Sequence, residues 1–415
     1  MYCELAKYTS TQLSEHIPQA FCKNPVGVGA GLDSRLRGND EGGACKEAPT
    51  EFLHASIRVF FLALVRVNLF IRIEAAIAVS ILKYTHERTT SMQQIAFTDI
   101  EDIKVGHAHN LDAATGCTVV VCEKGATAGV DVRGGAPGTR ETDLLNPVNL
   151  VEKIHAVVLA GGSAFGLDAA SGVMQYMEER SIGFDVQVTK VPIVCGAVLF
   201  DLTIGDHRIR PDREMGYQAC RNAVNGDCAE GVVGAGAGAT VGKILGVERS
   251  MKSGLGCHAI QVGALKIGAL VAVNCLGDVI DPETGERLAG LLNEDLTGLA
   301  DTEAVMIQSY ADKKNLFAGN TTIGIIATNA TLTKSQAAKL ASMAQNGYAR
   351  TMRPAHSMFD GDTIFTMATG HVEADLSVLG LLSARVMERA VVSAVKKAVP
   401  LFGLKCHADF DGRKA

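Results

Sequence analysis

The sequence has no surplus of basic residues: 39 Lys and Arg stand against 45 Asp and Glu in 415 residues, a formal charge of −6. Affinity for nucleic acid comes largely from neutralising phosphates, so a nucleic-acid partner lacks its main electrostatic term here. There is also no Cys-x-x-Cys pair and no Cys/His cluster at zinc spacing; 11 cysteines, an odd number, are scattered from Cys3 to Cys406. That pattern argues against a disulfide framework and a metal site, and for reduced, mostly buried thiols in a cytoplasmic protein. No cofactor is expected. The 44 glycines carry no Gly-X-Y period, which excludes a collagen-like chain, and no internal repeat is evident. What remains is a globular composition, 47% hydrophobic, long enough to bury a sizeable core.

Residues 1–91 do not read like the rest. The stretch Pro25 to Lys46 is glycine-rich, polar and without period, as a disordered segment would be. Ile57 to Leu82 is apolar and long enough to suggest a membrane span, but Arg58, Arg66, Arg72 and Glu74 interrupt it. Each such charge near a bilayer centre costs about 2.5–3.5 kcal/mol, so no membrane partner is expected. The run also lies too far from residue 1 for a normal signal peptide. A cleaner pattern begins at Met92, which we expect to be the natural start, with 1–91 an extension or a mis-assigned beginning. From there, β-branched runs alternate with amphipathic stretches. The spacing predicts strands at 117–122, 155–160, 257–262, 266–274 and 321–327, and helices at 166–180, after a capping box at Thr333 and Gln336, and over 373–398. The mixture implies a single layered α+β or α/β domain over 92–415.

Two glycine-rich matches fail on inspection. Gly161 to Gly166 follows a strand, but Ser163 replaces the second glycine of a dinucleotide fingerprint. Gly234 to Lys243 resembles a phosphate loop, yet Ala237 stands for its first glycine and Ile244 for its Ser or Thr. Tight turns and close packing account for both. More informative is Gly319-Asn320-Thr321, where a polar stretch ends at a strand that opens on a hydroxyl. Were the Asn320–Thr321 bond broken, Thr321 would carry a nucleophile and an α-amine of pKa about 7.7–8.0, a suitable base at neutral pH. Asp360 and Asp362, separated by Gly361, share one face of an extended segment and could orient such a group, although turn chemistry is the more ordinary reading of both places taken alone.

Together with VDVRGGAPGTRETDLL (130–145), VVLAGGSAFGLDAASGV (157–173), VLFDL (198–202), GAGAGATVGK (234–243), AVNCLGDVID (272–281), GNTTIGIIATNA (319–330) and MFDGDTIF (358–365), these residues make the chain from about 92 to 409 resemble the P1 family of peptidases. That group holds the DmpA-like L-aminopeptidase/D-esterases, the β-peptidyl aminopeptidases and the endo-type nylon-oligomer hydrolases. The resemblance implies a four-layer αββα sandwich and a self-processing hydrolase with an N-terminal nucleophile. It places the autocleavage site between Asn320 and Thr321, giving a large chain 92–320 and a small chain 321–415 that stay together, often as a homotetramer. Position by position it implies Thr321 as nucleophile, Asp360 and Asp362 as activating groups, Asn274 as oxyanion donor and Lys243 as the charge that keeps the new amine neutral. Phe200, Gly161 and Gly162 are expected to bind substrate. Some members have Tyr where this chain has Phe200, so a hydroxyl is missing there.

The implied reaction is release of N-terminal residues from peptides, amino-acid amides or esters through an acyl-enzyme, without a metal. Two other readings stay open: an acyltransferase of the ornithine acetyltransferase type, which shares the architecture, and a binding protein that never matures.

Overall fold

Strand residues here alternate between two apolar faces, and that alternation builds the architecture. In the computed structural model, which describes residues 92–226, 228–311 and 319–410, ten strands join in one hydrogen-bonded sheet. They are β1 (Gln93–Ile95), β2 (Lys104–Asn110), β3 (Thr115–Val132), β4 (Thr139–Arg140), β5 (Lys153–Ala160), β6 (Val194–Val198), β7 (Leu255–Val262), β8 (Leu265–Ala272), β9 (Ile323–Ala330) and β10 (Thr363–Val372). Their order is β1-β7-β8-β9-β10-β3-β5-β6-β4, with β2 also paired to β3. The α-helices are α1 (Ala169–Glu178), α2 (Arg213–Arg221), α3 (Thr302–Ala311), α4 (Lys334–Thr351) and α5 (Leu376–Lys396), and three small sheets of two or three short strands lie outside the main one. All of these lie within one compact unit, Leu82–Ala415. The expected extension 1–91, with its disordered and membrane-like stretches, lies outside the described residues. Among the described residues no helix is long and apolar enough to cross a membrane.

Two halves of the sheet face each other because β3 serves both. Its first part pairs β2 and β5, its last part pairs β10, and the register with β5 shifts between Val121 and Ala126. Three separate cores result. Ile326, Ile364 and Ala368 pack with Leu340, Tyr348 and Met387 under α4 and α5. Ile323, Ile325, Phe365 and Met367 meet Val157, Leu159 and Cys195 between the halves. Val119, Val158 and Ala160 pack with Ala169 and Val173 under α1 and α2. Period-two alternation along β5 and β10 sends successive residues to opposite cores, and the outcome is the expected αββα sandwich of an α+β protein.

The elements agree with the sequence expectations except at their ends. The capping box at Thr333 and Gln336 opens α4, and Asp375 caps α5. The segment expected to be helical from 166 enters through a 3-10 turn, Ser163–Asp168, before α1. The strand expected at 321 starts at Ile323, because the N–H of Thr321 is taken by the carbonyl of Asn274 rather than by a ladder partner. Six of eight described cysteines are buried and all eight are free.

Glycine permits close contact between helices and the sheet. A Cβ at Gly129 would stand 2.1 Å from the Ala338 nitrogen of α4. Gly129→Ala is expected to destabilise the fold by about 1–3 kcal/mol through overpacking, read as a fall of several degrees in the thermal midpoint.

Candidate active site

Three strand ends meet at one place, and their pairing explains why. β9 and β10 run parallel with Ile323 opposite Thr363, while β8 runs antiparallel to β9 with Ala272 opposite Ile323. Residues just before β9 and β10 and just after β8 are therefore neighbours. Thr321 and Thr322 come from the first segment, Asp360 to Asp362 from the second, Asn274 from the third. Thr321 is 4% exposed, and its N–H donates to the Asn274 carbonyl at 3.1 Å. Its hydroxyl donates to the carbonyl oxygen of Asn320 and accepts from the Gly361 N–H at 3.1 Å. The hydroxyl thus lies against the bond that precedes it. Gly361 makes this possible, since a Cβ there would be 2.7 Å from Thr321 Oγ1.

Each acid has its own holders. Asp362 accepts from the Thr322 N–H at 2.8 Å with Oδ1, and from the N–H of His356 at 3.0 Å with Oδ2, which also lies 3.0 Å from His356 Nδ1. Asp360 Oδ2 accepts from the Ser357 N–H at 2.9 Å and its hydroxyl at 2.5 Å, while Oδ1 is buried without a hydrogen-bond partner. Burial first, then repulsion by Asp362, pushes the Asp360 carboxyl up to about 6.

Asn274 is fully buried at the other side. Its Oδ1 accepts from the Thr240 N–H at 3.0 Å and from Lys243 Nζ at 2.6 Å, and its Nδ2 donates to the Phe200 carbonyl at 3.0 Å. Lys243 Nζ also donates at 3.1 Å to the Asn274 carbonyl, the acceptor of the Thr321 N–H. Burial lowers the Lys243 ammonium to about 7, against the attraction of Cys275, Asp360 and Asp201.

A cavity of about 530 Å³ opens beside Thr321, lined by Ala136, Pro137, Gly138, Ser163, Ala164, Val198, Leu199, Phe200, Gly319, Asn320, Thr321, Met358 and Phe359. The structure therefore brings Thr321, Asn274, Lys243, Asp360, Asp362 and Phe200 into one neighbourhood. Gly161 and Gly162 stand behind the wall instead. The Gly162 N–H donates to Asp201 Oδ1 at 2.7 Å, a Cβ at Gly161 would lie 1.9 Å from Asp201 Oδ2, and the next two residues reach the cavity.

Sequence reasoning missed several supporting residues. Lys252 is wholly buried and donates to the carbonyls of Gly236, Ala239 and Ser253 at 3.1, 2.7 and 2.6 Å, fixing the turn that leads to Thr240 and Lys243. Asp201 ties the start of that wall to Thr115 at 2.8 Å. His356 and Ser357 hold the acids. Only the position of His356 and Ser357 a few residues before Asp360 offered a signal. Among the described residues no three His, Cys, Asp or Glu side chains gather as metal ligands would.

The model of peptidase family S58 matches residues 96–408. An uncharacterised aminopeptidase of Mycobacterium leprae is 46% identical over 297 residues, covering 67% of this chain and 80% of that protein. A 6-aminohexanoate-oligomer endohydrolase of Paenarthrobacter ureafaciens is 30% identical, covering 74% and 88%. The solved L-aminopeptidase D-Ala-esterase/amidase of Ochrobactrum anthropi, a variant of the Ntn hydrolase fold, superposes with a TM-score of 0.59 at 17% identity, covering 79% and 96%.

The raised Asp360 carboxyl has a consequence for stability. The folded protein holds this proton more tightly than the unfolded chain, so the contribution is complete below the unfolded value of 3.8 and lost as pH rises through about 6. In uncut Thr321→Ala protein, adding Asp360→Asn is expected to remove that loss. Urea denaturation from pH 4 to 7 should show the stability difference between the two proteins changing by roughly 2 kcal/mol, at no more than about 1.4 kcal/mol per pH unit.

Proposed function

This chain belongs to peptidase family S58 and is a peptide-bond hydrolase, and we propose that it matures by cutting itself between Asn320 and Thr321, then uses Thr321 as an N-terminal nucleophile. The observation that carries the reading is the Thr321 hydroxyl resting against the Asn320 carbonyl with the Gly361 N–H on its oxygen.

In the precursor, the hydroxyl oxygen bonds to the Asn320 carbonyl carbon. The C–N bond to Thr321 then breaks, and the hydroxyl proton ends on the freed nitrogen. Water adds to the resulting ester, releasing Asn320 as a carboxylic acid and restoring the hydroxyl. In the mature enzyme the same oxygen attacks a peptide, amino-acid amide or ester, and the new amine takes the hydroxyl proton and passes it to the leaving group. Lys243 donates to the carbonyl that also receives the Thr321 nitrogen, so its ammonium, when protonated, stands near the amine and disfavours its protonation. Asn274 Nδ2 has one hydrogen on the Phe200 carbonyl and a second for the oxyanion, a contact whose loss costs about 10²–10³ in rate. The Asp360 carboxylate, with one oxygen unpartnered, balances the charge that develops near Thr321.

Self-processing would leave the domain over 92–415 as two chains. Within the small chain β9 pairs β8 and β10 pairs β3, so backbone hydrogen bonds join it to the large chain at both edges, which supports continued association of the two chains. By the same resemblance we assign a homotetrameric assembly.

Terminal sequencing tests the reading. The wild type should give a small fragment beginning Thr-Thr-Ile-Gly, and Thr321→Ala a single uncut chain without hydrolytic activity. An uncut wild type that still hydrolyses peptides would refute self-processing.

A further inference from the structure

The two reactions assigned to Thr321 pass through esters of one kind, an acyl group on the same oxygen. In maturation that acyl group is Asn320 with Gly319 behind it. The precursor therefore holds a substrate-like segment in position, and its contacts describe the acyl side of the site. The Asn320 N–H donates to the Phe359 carbonyl at 3.3 Å, and Asn320 is 2% exposed. Gly319 lies on the face of the Phe200 ring. A Cβ there would stand 2.6 Å from Cγ and Cδ1 and 3.0 Å from Cδ2, distances that carbon atoms do not sustain.

We propose, resting on the Thr321 reading above, that the place of Gly319 and Asn320 is the acyl subsite of the mature enzyme, and that Phe200 makes its second position a glycine position. When the cut end withdraws, the residue before the substrate's scissile bond takes the place of Asn320. Its nitrogen, amine or amide, donates to the Phe359 carbonyl. A residue further upstream must then cross the Phe200 ring as Gly319 does, without a side chain.

Phe200 cannot simply swing aside. One of the two nearest atoms is Cγ, at the root of the ring, and the residue's carbonyl is held by Asn274 Nδ2 at 3.0 Å. Moving Phe200 would disturb the amide assigned to the oxyanion. The first position is roomier: Pro137, Val198, Leu199, Met358 and Phe359 give the cavity an apolar wall that suits a leucine-sized side chain.

The p-nitroanilides of Leu, Gly-Leu and Leu-Leu, which share a leaving group, test this on the wild type, Phe200→Ala and Thr321→Ala. The wild type should cleave Gly-Leu-anilide at least 10-fold faster than Leu-Leu-anilide in kcat/KM, and Phe200→Ala should bring the ratio within about 3-fold. In the precursor, Gly319→Ala should slow the appearance of the small fragment, and adding Phe200→Ala should restore it. Equal turnover of both dipeptides by the wild type, or refusal of both while Leu-anilide is cleaved, overturns the proposal and leaves the nucleophile intact. Release of nitroaniline by Thr321→Ala overturns the reading beneath it instead.

Discussion

The pairing of Ile323 with Thr363 in parallel, and with Ala272 in antiparallel, fixes where everything else at the site can stand. Backbone ladders set positions to within a fraction of an ångström without using any side chain, so the hydroxyl, the acids and the amide inherit their geometry from the sheet. The residues to which we assign the chemistry lie outside the ladder, in the short segments that lead into or out of it. Their N–H and C=O groups are thereby free to bond across the site, as Thr321 does to Asn274 and Gly361 to Thr321.

Around this frame the protein buries an unusual amount of charge. Lys243, Lys252, Asp201, Asp360 and Asp362 are all nearly inaccessible to solvent. Desolvation opposes ionisation at each of Lys243, Lys252, Asp201 and Asp360, and the two ammonium groups are lowered to about 7. The burial is tolerable because hydrogen bonds compensate it: Lys252 has three carbonyls, Asp201 a hydroxyl and an N–H. Groups whose proton affinities lie near neutrality in a dry setting are suited to moving protons at small cost.

Much of the fold was legible because its signals are local. Runs such as 155–160 alternate strictly between two cores, and the box at Thr333 marks a helix start that no packing needs to reveal. The sandwich itself and the roles of Asn274 and Lys243 came through resemblance, since nothing at those positions alone distinguishes them from core residues. Asp360 and Asp362 were read as two carboxylates sharing one face; the structure gives each separate partners, Ser357 for one and His356 with Thr322 for the other. Lys252 was illegible for a physical reason. A lysine beside Ser and Gly reads as solvated, and only three carbonyls gathered from residues 236, 239 and 253 make its burial affordable.

β9 and β10, together with α4 and α5, all follow Thr321 in the chain, so the segment after the proposed cut supplies two central strands and the helices of one outer layer. The core under α4 and α5 and the core between the sheet halves draw on both portions, so neither portion completes these two alone. A cut at Thr321 would turn folding from a first-order process into a bimolecular one. Denatured mature molecules would have to find partners at their ambient concentration, whereas the precursor carries its complement covalently. Maturation would thus trade the capacity to refold for a chemically competent chain end.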